Sequence, residues 1–150
     1  MNTLLHFFLS YLVVEGALGN AYNYAVYILL FSVILDLDHI PYVIKTRRKV
    51  LRKKFGSESR SRFHELYGLT LFSAAASLLA FFSGATLAKV IALSAIVHYA
   101  ADFLVGKSRP FYPFSKKEIS LGMLPDKYRM HFEIASTLIL GAVVWLSIVK

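Results

Sequence analysis

Cysteine is absent from the 150 residues, which excludes a disulfide framework and any zinc site built on thiolates. A metal held by this chain must rest on imidazole, carboxylate or backbone oxygen, and the redox state of its compartment leaves no mark on the sequence. No internal repeat or low-complexity tract is present. Basic charge is scarce over most of the chain. Nine of the seventeen Lys and Arg lie between Lys45 and Arg62 and six between Lys107 and Arg129, with only Lys89 and Lys150 elsewhere.

What is abundant is apolar surface. Hydrophobic residues make up 57% of the chain and the mean hydropathy is strongly positive, against about 45–50% in ordinary soluble domains. The length suits one domain, residues 1–150, and the composition that of an integral membrane protein. A membrane span needs about 20 predominantly apolar residues. Ala21–Ile44, Leu66–Ser83, Thr86–Val105 and Phe132–Val149 approach that, and Leu4–Leu18 is marginal. The expected fold is therefore all-α, a multipass transmembrane bundle of four to five spans.

The first segment ends in the small residues of "GALGNA", but it has no basic start, and His6 and Glu15 interrupt its apolar run. We read it as the first helix rather than a cleaved signal peptide. Between the helices lie a tight "GNA" turn, the basic loop "KTRRKVLRKKFGSESRSR", a short "SGA" turn and the loop "GKSRPFYPFSKKEISLGMLPDKYR". Short basic loops stay on the cytoplasmic side. Five spans with a cytoplasmic N-terminus keep both basic loops inside, whereas the opposite orientation exports most of the positive charge. In a soluble protein the net charge of +8 would suggest nucleic acid. Confined to two loops of a membrane protein, it suggests anionic headgroups, each Lys or Arg near the surface contributing about 1 kcal/mol.

On this topology all five histidines fall at one membrane face. His6 lies near the inner end of span one. Asp36, Asp38 and His39, in "VILDLDHIPY", close span two. His64 opens span three, His98 and Asp102 end span four, and His131 with Glu133 opens span five. His98 and Asp102 are four apart and Asp36 and His39 three apart, so each pair shares a helix face at about 5–6 Å. A carboxylate near mid-bilayer costs about 2.5–3.5 kcal/mol on insertion scales, a cost that a shared divalent ion offsets. Taken singly, such residues are ordinary interfacial or capping groups. Gathered from five helices, they describe a ring able to close around a cation. Arg60, just ahead of His64, is placed to hold an anionic group, while the small residues of "SAAASLLA" and "ALSAI" serve close helix packing.

The ordered motifs resemble those of a family of membrane-bound metal-dependent hydrolases that includes LexA-regulated inner-membrane proteins. That family shows an early His, an Asp pair ending a hydrophobic helix, a His-Arg segment, a His-x-x-x-Asp pair, a Pro-x-Ser loop and a late Glu. His6, "LDLD", "SRSRFHE", "VHYAAD", "YPFS" and Glu133 take these places over nearly the whole chain. Leu35 stands where the family has Pro, Ser59 where it has the first His of the His-Arg segment, and Glu65 where it has Ser. The family is distantly similar to the zinc-dependent phospholipase C and single-strand nuclease superfamily. The resemblance implies a membrane-bound hydrolase with a one- or two-metal site at the cytoplasmic interface of the inner membrane, acting on a phosphoester or other small-molecule or lipid-derived substrate. Its expected ligands are His6, Asp36, Asp38, His64, His98 and Asp102. Zn²⁺ is the first expectation for an imidazole-rich site, with Mn²⁺ or Fe next. Arg60 would neutralise the substrate, Ser115 orient it, and Glu133 act as general base or further ligand. The competing expectation is non-enzymatic: an ion- or proton-transporter component or a structural subunit. A transport path, however, calls for ionisable groups through the bilayer thickness, and the outer half offers only Glu15.

Overall fold

The computed structural model describes residues 2–34, 44, 66–83, 85–105, 109, 111, 112, 114, 115, 117–119, 121 and 123–149. Helix α1 (Thr3–Leu18) starts at Asn2, whose Oδ1 accepts the Leu5 N–H at 2.8 Å and so satisfies one of the donors a helix leaves open at its start. It stops at Gly19, which takes φ +66° and donates its N–H to the Glu15 carbonyl at 3.0 Å, a left-handed exit that favours glycine. Asn20 is also left-handed, at φ 57°. The Glu15 carboxylate accepts the Ala21 N–H at 2.7 Å and so fastens the turn. A single 3-10 turn (Ala21–Tyr24) then leads into α2 (Ala25–Val33).

Helices α3 (Leu66–Ser83), α4 (Thr86–Val105) and α5 (Asp126–Val149) complete the architecture, which is all-helical among the described residues. Here α1 packs on α2, α4 and α5, and α4 packs on α2 and α3 as well. Small side chains permit the α1–α4 approach: Ser10 Oγ lies 3.5 Å from the Ser94 carbonyl, with Ala88, Ala92, Ala95 and Ala101 buried along α4. The apolar core lies toward the Gly19–Asn20 turn, where Tyr11, Val14, Ala21, Ile28, Val90 and Val144 meet.

On length and composition, α4 and α5 (from Lys127) can cross a bilayer, whereas α1, Ala21–Val33 and Thr70–Phe82 are shorter apolar helices. Among the described residues two helices thus meet the span criterion, where four to five spans were expected for the whole chain. For α1 the reason is length: its 16 residues rise about 24 Å, short of the roughly 30 Å of hydrocarbon. Residues 35–43 of the second expected span lie outside the described residues.

Beside the apolar core, several polar side chains are buried while large apolar ones face outward. Ser10, Ser32, Ser94, His6 and His98 are fully buried, while Phe81, Phe82 and Val26 are 81%, 80% and 76% exposed. Among the described side chains of α5 only Val144 is fully buried, and Leu138 and Trp145 face outward. Contiguous apolar surface on this scale calls for lipid or a partner rather than water.

Candidate metal centre

The end of the bundle opposite the apolar core holds its polar centre. His6 comes from the first turns of α1, His98 and Asp102 from the C-terminal half of α4, and all three are buried. The four-residue spacing of His98 and Asp102 sets them on one face of α4, as expected. Closest approach of α1 and α4 then brings His6 over that face. Its imidazole stacks on that of His98, ring centroids 3.9 Å apart and planes inclined by 21°.

His6 Nε2 lies 3.3 Å from Asp102 Oδ1, without the alignment of a hydrogen bond. One donor atom each from His6, His98 and Asp102 falls within 4.8 Å of the others. Two ligands held at roughly 2.0–2.1 Å on a tetrahedral ion stand about 3.3 Å apart, so the His6–Asp102 spacing already suits a common cation. His6 Nδ1 is buried and makes no hydrogen bond among the described residues.

The orientation of His98 comes from a residue that the sequence did not single out. Its Nδ1 lies 2.7 Å from the backbone carbonyl of Ser32, at the C-terminal end of α2. A carbonyl only accepts, so Nδ1 carries the proton and Nε2 of the neutral ring keeps its lone pair. This is how metal-ligating imidazoles are commonly held, one nitrogen donating to the protein and the other left for the ion. The only hint of Ser32 in the sequence was a small polar residue inside an apolar run. Its hydroxyl is engaged locally with the Leu29 carbonyl at 3.1 Å.

Of the other expected site residues, Asp36, Asp38, Arg60 and His64 lie outside the described residues, as does His39. Glu133 sits at the same end of the bundle, because Asn2 Nδ2 reaches the Glu133 carbonyl at 3.5 Å and Thr137 Oγ1 at 3.0 Å. Its carboxylate takes a hydrogen bond from Arg129 Nε at 3.1 Å and does not belong to the His6–His98–Asp102 group. His131 is exposed. Ser115 closes a turn by donating its N–H to the Phe111 carbonyl, and its Oγ accepts the Lys117 N–H at 3.2 Å.

The chain matches the YdjM inner membrane protein family over residues 1–149. That description covers a membrane protein and carries no assignment to hydrolases or to phospholipase C. No curated protein matches, and no solved structure does.

Proposed function

Because the chain belongs to the YdjM inner membrane protein family, we propose that it is a multipass inner-membrane protein, N-terminus in the cytoplasm, whose His6, His98 and Asp102 hold a divalent metal in a hydrolytic site at the cytoplasmic interface. The observation that carries this reading is the convergence of one ligand atom each from His6, His98 and Asp102 within 4.8 Å of one another, with the Ser32 carbonyl on His98 Nδ1 fixing the orientation of that ring. Two imidazoles and one carboxylate form the three-ligand set typical of catalytic zinc, with a fourth position for water or substrate. A bound Zn²⁺ supplies a Lewis acid and water acidified toward neutral pH.

The protein's own groups do the rest. Asp102 supplies negative charge that offsets the cation's, and the stacked rings keep both imidazoles in register. Asp36, Asp38 and His64 are the proposed ligands of a second ion in a two-metal form of the site, Arg60 the group that neutralises a phosphoester or lipid-derived substrate, and Ser115 the group that orients it. Glu133 must leave Arg129 to serve as general base. Near-complete burial of His6 and His98 favours a second reading, in which the ion is structural or in transit and nothing is hydrolysed.

Elemental analysis of detergent-purified protein beside a His6→Ala, His98→Ala double variant tests the metal. Bound zinc, manganese or iron that falls away in the variant is the expected result, and equal content in both overturns the proposal. Turnover of phosphodiesters or phospholipids by the metal-loaded wild type, absent in the variant, separates the enzymatic reading from the second one.

A further inference from the structure

Three helices change their buried side chains in the same order. Along α1 the buried series runs His6, Ser10, Val14; along α4 it runs Asp102, His98, Ser94, Val90; along α2 it runs Ser32, Ile28. Every step is four residues, so each series keeps to one helix face. Contacts between helices set the layers level. His6 stacks on His98, Ser10 Oγ lies 3.5 Å from the Ser94 carbonyl, and Val14, Ile28 and Val90 belong to one apolar cluster. The interior thus passes from imidazole and carboxylate, through a layer of serine, to a layer of branched aliphatic side chains.

Within the serine layer, Ser32 returns its hydroxyl to the Leu29 carbonyl of its own helix at 3.1 Å, the local outlet open to any serine inside a helix. Ser94 does not: its Oγ is buried and makes no hydrogen bond among the described residues. The 3.5 Å reach of Ser10 to α4 is long for a hydroxyl donor. A buried hydroxyl left without a partner is uncommon in proteins and marks the place of a bound water or ligand. On the far side, Val14, Ile28 and Val90 offer these hydroxyls no polar atom, so a ligand of theirs belongs to the histidine side.

We propose that the Ser10–Ser94 layer is the inner wall of the metal centre, where Ser94 Oγ positions a water at the fourth coordination position of the ion. The inference rests on the metal reading of His6, His98 and Asp102 and adds Ser94 to it as a positioning residue. Water suits the place, since a buried water needs about 2–4 polar partners and the two hydroxyls stand beside the ion that would bind it. The aliphatic layer closes the chamber behind them.

Because the chain has no cysteine, one introduced thiol reports on the ion unambiguously. The test uses full-length protein in detergent loaded with Co²⁺, which gains a near-ultraviolet charge-transfer band when a thiolate coordinates it. Ser94→Cys, nearly isosteric, is expected to show the band, its thiolate taking the place of the water. Val14→Cys and Val90→Cys, one turn further from the histidines, should hold cobalt without it. Ser94→Ala should bind cobalt about 10–100-fold more weakly, the usual effect of losing an outer-sphere partner. If Ser94→Cys fails to fold, Ser10→Cys repeats the measurement from the facing helix. Cobalt held without a band at either serine position overturns the inference alone, as does a band from Val90→Cys or wild-type affinity in Ser94→Ala. A wild type that takes up no cobalt overturns the metal centre and this inference with it.

Discussion

At the scale of single residues, the proposed metal centre turns on the His98 ring, held by the Ser32 carbonyl. Replacing an outer-sphere partner of a metal ligand typically costs about 10–100-fold in affinity, and losing the ligand itself costs more. His98→Ala and Asp102→Asn are therefore expected to lower zinc affinity beyond that range, measured by competition with a chelating dye. Glu15 has a different role: its carboxylate accepts the Ala21 N–H and fastens the turn after α1. Glu15→Gln keeps an acceptor and should melt close to wild type. Glu15→Ala should lose about 1.5–3 kcal/mol, the usual worth of a hydrogen bond to a charged group, read by thermal unfolding in detergent with metal content unchanged.

Elements meet through small residues and through polar side chains shared between helices. Asn2 both starts α1 and grips α5 through Thr137, joining the first helix to the last beside the polar centre. Asn2→Ala should cost about 0.5–2 kcal/mol for the cap, with a further loss from the freed α5 that Thr137→Val alone partly reproduces in the same melt. Gly141 lets α5 approach α1 closely: a Cβ there would stand 3.1 Å from Phe8 Cε2. The Phe8 ring can yield to one methyl group but not to a branched side chain. Gly141→Ala is thus expected to be mild and Gly141→Leu to cost about 1–3 kcal/mol of overpacking. Phe8→Ala in the Gly141→Leu background should recover part of that loss, which unfolding of the double variant checks.

For the whole molecule, the basic loops determine the expected orientation. Reporter fusions should place the N-terminus and both loops in the cytoplasm, and exchanging the Lys and Arg of residues 45–62 for Gln should give mixed insertion. Unbroken apolar length made α3 and α4 legible, and the described helices cover the whole of those runs. Helix α5 begins at Asp126 rather than Phe132, because its first turns are polar and an apolar count passes over them. The His98–Asp102 pair was readable from its four-residue spacing, and His6 from its place at the same bundle end. The Ser32 contact was not, since a backbone carbonyl has no letter in a sequence, and neither was the stacking of two rings from different helices. The arrangement of polar groups within and phenylalanines without also bears on biogenesis. A chain that must bury histidines and display Phe81 and Phe82 has no compact aqueous form to adopt after leaving the ribosome. Co-translational insertion is therefore the expected route to the membrane, and copies released into water are expected to be held by chaperones or degraded, which pulse-chase labelling with the insertion machinery depleted would check.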